Sequence, residues 1–167
     1  MRGVSTLLAA GALVASCAGT LAPPKDLFPT LPRTEIQIET ASGTHRFVVW
    51  IAADERSRQR GLMFVRELPP DRGMLFLFDR PQEAAFWMKD TYLSLDLVFI
   101  DPAGVVVNIA SAARPFSLDP IPSDGPVIAV LEVTAGTASR IGLAPGDRVN
   151  LPSLRTAWRP SGASGTN

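Results

Sequence analysis

The sequence predicts a mainly β fold, a β-rich α+β unit forming one compact barrel- or sandwich-like domain. Three observations point there. Prolines and glycines are abundant, at 15 and 13, which multiplies turns. Apolar residues fall in short runs such as Phe47–Ile51 and Val127–Val133, not at helical spacing over long stretches. Turn signals separate the runs, among them Pro69-Pro70-Asp71-Arg72-Gly73 and Asp101-Pro102-Ala103-Gly104. At 167 residues the chain can hold one sizeable core and is short for two.

Taken in order, Glu35-Ile36-Gln37-Ile38-Glu39 alternates polar and apolar, as a strand with one wet face does. Ser42-Gly43 turns the chain into the nearly continuous apolar strand Phe47–Ile51. Asp54 is placed to cap a short helix through Arg60, and Gly61 to end it. The strand Met74–Phe78 follows the Pro69–Gly73 turn, and after Asp79-Arg80-Pro81 comes Phe86-Trp87-Met88-Lys89-Asp90-Thr91. There two large rings and a thioether run straight into a cation, an anion and a hydroxyl. Leu95–Asp101 reads as a buried strand with Val105–Ile109 as its hairpin partner. Pro115–Pro126 holds four prolines and reads as a long surface loop. Val127–Val133 is another buried strand, and a short helix through Ser139-Arg140 stops at Gly142. Pro145-Gly146-Asp147 then turns into a last strand, Arg148–Leu151. The total is about seven or eight short strands and two short helices, with no internal repeat.

Residues 1–17 read as a lipoprotein-type signal peptide. Arg2 is its short positive region, and Val4–Val14 is an apolar run too short to span a bilayer. Val14-Ala15-Ser16-Cys17 resembles a bacterial lipobox, in which Cys17 becomes the lipidated first residue of the mature chain. Ordinary cleavage nearby and a stray signal-peptide cysteine are the plainer alternatives. Ala18 is not an acidic retention signal, so the expectation is a chain lipid-anchored in the outer membrane and facing the periplasm. Residues 18–33 carry Pro23, Pro24, Pro29 and Pro32 and read as a spacer, 34–152 as the domain, and 153–167 as a largely disordered tail.

Sixteen basic and sixteen acidic residues leave no net field to recruit nucleic acid. One cysteine and one histidine exclude an intramolecular disulfide and a Cys/His zinc site, and a Ser-His-Asp triad would need His45 as its base. His45 follows Gly43-Thr44 at a strand entrance and is expected to be exposed. No cofactor or metal is expected, and the domain is expected to be a monomer. Met63, Met74 and Met88 are scattered over separate segments and read as core.

Glu132 is the most informative charge. It lies inside an apolar strand, on the same face as Ile128 and Val130, so it needs a donor or cation or must stay protonated. Lys89, Arg60 and Arg140 are its possible partners. A buried Lys89–Glu132 pair would cost about 3–5 kcal/mol to break, and as a strut it would fix sheet register. Asp96, between Leu95 and Leu97, poses the same question or simply faces solvent. Asp96 with Glu132 is a possible carboxylate pair for acid/base work or a hard cation. Lys89 and Asp90, adjacent on a strand, would point to opposite faces and form no dyad. Trp87 beside them suits stacking on a sugar ring or another flat ligand.

Arg60-Gly61-Leu62-Met63, Gly73-Met74-Leu75-Phe76, Phe86-Trp87-Met88-Lys89, Leu95-Asp96, Val130-Leu131-Glu132 with Ala135-Gly136, and Gly142 with Gly146-Asp147 occur in that order. Together they resemble the DUF192 family, also called UPF0127, over about Ile36 to Leu151. The resemblance implies a single small mainly-β domain, often exported behind a signal or lipid anchor, and no reaction. Two positions depart from it: Asp90 stands where the family usually has Asn, and Ser94 where it often has Pro. Arg60, Trp87, Lys89, Asp90, Asp96 and Glu132 are the ligand-binding candidates. The expectation is a non-enzymatic envelope domain that holds a small ligand or protein partner, tied to the membrane through Cys17. The alternative is a hydrolase or transferase on an envelope sugar or peptide. Glu132 or Asp96 would then be the base, with Lys89 or Arg60 stabilising charge.

Overall fold

The computed structural model describes residues 28–150. The signal peptide with Cys17, residues 18–27 of the spacer, Leu151 and the tail lie outside the described residues. Nine strands and two short helices follow in the order β1 (Arg33–Thr40), β2 (Gly43–Ala52), α1 (Glu55–Arg60), β3 (Arg72–Gln82), β4 (Ala85–Phe86) and β5 (Leu95–Ile100). The chain continues through β6 (Val106–Ala113), β7 (Ile121–Pro122), β8 (Val127–Thr134), α2 (Thr137–Ile141) and β9 (Arg148–Asn150). The mainly β expectation holds. The strand missed is β7, inside the proline-rich stretch expected to be a loop. It is two residues long and pairs with β4, Phe86 opposite Ile121 and Ala85 opposite Pro122. Its Pro122 lies on a short edge strand, where proline is tolerated.

Seven strands form one sheet in the order β6-β5-β8-β3-β2-β1-β9. Its neighbours are antiparallel except β2 and β3, which run parallel across the crossover that contains α1. The outermost strands curl toward each other at one end. Val105 bridges Arg148, the Val106 N–H reaches the Asp147 carbonyl at 2.9 Å, and the Val149 N–H reaches the Gly104 carbonyl at 2.8 Å. The sheet is therefore a half-barrel.

Period-two alternation divides the apolar residues between the two faces. Ile36, Phe47, Val49, Leu75, Val98, Val106, Leu131 and Val149 belong to a core drawn from all seven strands, closed by Ala138 and Ile141 of α2. Trp50, Met74, Phe76, Leu97, Phe99 and Val130 face the other way, under Leu62, Val65, Leu68 and Met88 from the connecting segments. Phe28, in the stretch read as spacer, packs edge-to-face on Trp50 at 5.4 Å and joins this second core. Ile128, expected beside Glu132, packs instead against the first core.

Local chemistry fixes the segments that matter for the site. Asp54 and Ser57 form a reciprocal capping box, the Ser57 N–H donating to the Asp54 carboxylate at 2.9 Å. That bond is the first cause of an Asp54 carboxyl held below its usual range. Arg58 then latches α1 to the sheet, its Nη1 donating to the Ala53 carbonyl and, at 3.0 Å, to the Leu77 carbonyl.

Candidate functional site

Glu132 sits on β8 in the middle of the sheet. Its cross-strand neighbours are Met74 on β3 and Leu97 on β5, both fully buried. The residue is only 5% exposed, and among the described residues no side chain pairs with its carboxyl. Burial alone pushes that carboxyl up from 4.5 to about 8, so it is mostly protonated at neutral pH.

Glu132, buried, is one of the residues that line a cleft of about 640 Å³. The cleft is also lined by the end of α1 with Gly61, Leu62 and Met63, by Phe76 and Phe78 of β3 and by Phe86 of β4. Phe86 meets Phe76 edge-to-face at 4.9 Å and Phe99 at 6.1 Å. Gly61 turns with φ 46°, and a Cβ there would come within 3.2 Å of the Phe76 ring. A glycine therefore shapes the wall. Trp87, Lys89 and Arg60 also line the cleft and are exposed, with Lys89 Nζ 5.5 Å from the centre of the Trp87 ring. The arrangement combines apolar walls, one buried neutral acid, and a rim where Trp87 stands with the cations Arg60 and Lys89 and the acids Glu55 and Glu83.

The family DUF192, described as "Uncharacterized ACR, COG1430", matches residues 36–151. This chain belongs to the DUF192 family. It is similar to the crystal structure of a protein of unknown function from Novosphingobium aromaticivorans DSM 12444. That likeness has 37% identity over 85% of this chain and 100% of the other, with a TM-score of 0.73. It is also similar to the structure of a "putative transcription regulator" from Sinorhizobium meliloti 1021, at 43% identity over 72% of this chain and 94% of the other, TM-score 0.70. No curated protein matches the chain.

In this DUF192 domain, four of the six residues singled out in the sequence share the cleft: Arg60, Trp87, Lys89 and Glu132. They do not form the expected ion pair. No cation of the described residues reaches Glu132, Arg140 donates to the Pro70 carbonyl at 3.2 Å, and Lys89 lies beside Trp87 in solvent. The reason is that residues 88–91 form a turn instead of a strand, closed by the Thr91 N–H on the Met88 carbonyl at 3.2 Å, with the Met88 N–H bonded to the Ser117 carbonyl at 2.9 Å. Asp90 is in that turn with φ 52°, and its carbonyl accepts the Phe64 N–H at 2.9 Å. Asn and Asp are the side chains most tolerant of left-handed backbone, which accounts for the exchange with the family's usual Asn.

Asp96 is placed elsewhere. Leu97 faces Glu132 across the strand pair, so its neighbour Asp96 points to the opposite side of the sheet. Its Oδ1 accepts the Ala112 N–H at 2.8 Å and its Oδ2 the Ala138 N–H at 2.9 Å. The carboxylate pair weighed in the sequence is not assembled, and Asp96 is neither solvent-facing nor in the cleft. His45 is half-buried instead of exposed, its Nε2 2.9 Å from Ser42 Oγ. Met74 and Met88 are core, while Met63 lines the cleft. The described residues hold no cluster of three or more metal-binding side chains. Sequence reasoning missed Phe76, Phe78 and Phe86 as cleft walls, because apolar strand residues carry no mark of which will border a gap.

Proposed function

We propose that this DUF192 protein is a non-enzymatic, membrane-anchored domain of the cell envelope whose cleft binds a small ligand or a segment of a protein partner. Support comes from the Glu132 carboxyl: among the described residues no group pairs with it, so its hydrogen bonds fall to whatever occupies the cleft. A volume of about 640 Å³ is ample for a small molecule, such sites spanning roughly 300–1,000 Å³. Trp87 at the rim offers a flat face for a sugar ring or another planar group. Lipidated Cys17 would hold the domain, as a monomer, at the outer membrane facing the periplasm. The Sinorhizobium relative's name is not extended to this chain, since 16 basic against 16 acidic residues give no net attraction for nucleic acid.

The test is a fluorescence and calorimetric titration with envelope glycans and peptides. Binding is expected to perturb Trp87 and to weaken at least about tenfold in both Trp87→Ala and Glu132→Gln with the fold intact. A chain that binds none of these ligands would sink the reading. Palmitate labelling of the wild type but not of Cys17→Ser checks the anchor. The alternative is a hydrolase or transferase on an envelope sugar or peptide. There the raised Glu132 favours a general acid in place of a base, with Lys89 and Arg60 stabilising developing charge. Turnover that vanishes in Glu132→Gln would favour this alternative.

A further inference from the structure

Five large apolar side chains are exposed among the described residues: Phe64, Trp87, Tyr92, Phe116 and Leu118, between 38 and 65%. All five lie on three loops, one after α1, one after β4 and one after β6. Backbone bonds tie these loops together, Phe64 N–H to the Asp90 carbonyl, Phe116 N–H to the Thr91 carbonyl and Met88 N–H to the Ser117 carbonyl, at 2.9, 3.3 and 2.9 Å. The Tyr92 and Phe116 rings meet edge-to-face at 5.1 Å. The loops therefore make one face, and exposed apolar surface of this kind marks an interaction site.

Two features show that the face is built, not incidental. Phe64 and Phe116 have φ of 64° and 61°, left-handed backbone that bulky residues rarely adopt and that costs stability. Both residues are exposed, so core packing gives no reason for the strain. Each of three rings also has a cation over it: Arg60 4.9 Å from the Phe64 ring, Arg66 4.2 Å from Tyr92 and Lys89 5.5 Å from Trp87. Arg114 and Asp119 lie 3.7 Å apart and offset each other, and Asp90 is half-buried in its turn. Glu67 lies next to Arg66, and Glu55 and Glu83 line the cleft with Arg60 and Lys89. The charges standing over the exposed rings themselves are the three cations.

We infer that this three-loop face docks on a bilayer surface carrying anionic headgroups, with the rings in the interfacial layer and Arg60, Arg66 and Lys89 among the phosphates. Aromatic rings and Leu enter that layer while basic side chains stay at headgroup level. Phe28 belongs to the same core as Val65 and Met88, on the side of the sheet that carries the face. The 11 residues back to Cys17 span at most roughly 40 Å. A lipidated Cys17 would therefore hold the face within reach of the bilayer and raise its effective concentration there. Since Trp87 and Lys89 border the cleft as well, docking turns the cleft mouth toward the membrane.

The test is sedimentation of the chain from residue 18 onward, without lipid, using vesicles of equal parts phosphatidylcholine and phosphatidylglycerol, and vesicles of phosphatidylcholine alone. The expected result is binding to the mixed vesicles with a blue shift of tryptophan emission, weaker binding to phosphatidylcholine, and partial loss in high salt. Phe64→Gly with Phe116→Gly is expected to lower binding at least about tenfold. Glycine accepts both left-handed positions, so this variant keeps the fold and its melting temperature should hold or rise. Arg66→Gln is expected to weaken binding to the mixed vesicles selectively. No binding by the wild type, or binding unchanged in the double glycine variant, overturns the inference. So does self-association of the wild type that the glycines abolish, which would make the face an interface between copies. Because the lipid is absent from this test, its failure leaves the Cys17 anchor and the ligand cleft to their own tests.

Discussion

A single carboxyl group, Glu132, sets the pH behaviour expected of this domain. Its folded value of about 8 lies above the ordinary 4.5 because burial disfavours the charged form. Between those values the folded chain holds a proton that the unfolded chain has lost. Stability therefore falls as pH rises from about 4.5 through 8 and changes no further above that. The slope approaches about 1.4 kcal/mol per pH unit at its steepest. Glu132→Gln keeps the shape of the protonated acid and has no proton to lose. The variant should match the wild type near pH 4 and exceed it by a few kcal/mol at pH 8. Melting temperatures of both proteins across that range check this. Curves that stay parallel would mean that the carboxyl is not held neutral in the folded chain.

Between elements, the corresponding tie is Asp96. The N-cap of α2 is Gly136, which has no side chain to accept a helical N–H, and Asp96 on β5 supplies that acceptor to Ala138 from across the core. Its other oxygen holds Ala112, which has φ 50° in β6 where the β5–β6 register shifts. Asp96→Ala removes both acceptors at once. It should destabilise the domain by about 2–4 kcal/mol, since the buried Ala138 donor left unpaired costs roughly 1–3 and the loss of the part-buried Ala112 bond about 1. Hydrogen exchange at Ala112 and Ala138 should rise first. Unchanged exchange at both amides would show that the carboxylate is not what holds them. Asp96 also shows what the sequence can and cannot reveal. The strands, the Asp54 cap and the Asp101 and Gly146 turns are legible because alternation and turn chemistry are local. Asp101 Oδ1, for instance, takes the Ala103 and Val105 N–H groups, both at 2.8 Å. Asp96 and Glu132 look alike in sequence, each an acid in an apolar run. Strand register separates them, putting Leu97 opposite Glu132 and Asp96 on the other face. Register is a property of strand pairs. The same holds for the turn that keeps Lys89 from Glu132 and for the left-handed Phe64 and Phe116, which carry no glycine signal.

Across the whole molecule, the half-barrel depends on a narrow seam, because among the described residues its outer strands meet where Gly104, Val105 and Val106 touch Gly146 to Val149. Gly104 is the demanding position. It has φ 80°, its carbonyl accepts the Val149 N–H at 2.8 Å, and a Cβ on it would lie 2.9 Å from the Val149 carbonyl oxygen. Alanine there meets both a left-handed backbone, unfavourable by about 1–2 kcal/mol, and a contact that forces the seam apart. Gly104→Ala should therefore lower stability by about 2 kcal/mol or more, read as a shifted urea midpoint, with faster amide exchange at Val106 and Val149. The seam borders the core shared by all seven strands, whereas Glu132 faces the other core, from the middle of the sheet. Opening the seam should leave the Glu132 titration and any ligand affinity of the cleft in place as long as the sheet is folded. If the titration instead moved with the seam, the two faces would form one cooperative unit. The curl of the sheet would then set the shape of the cleft.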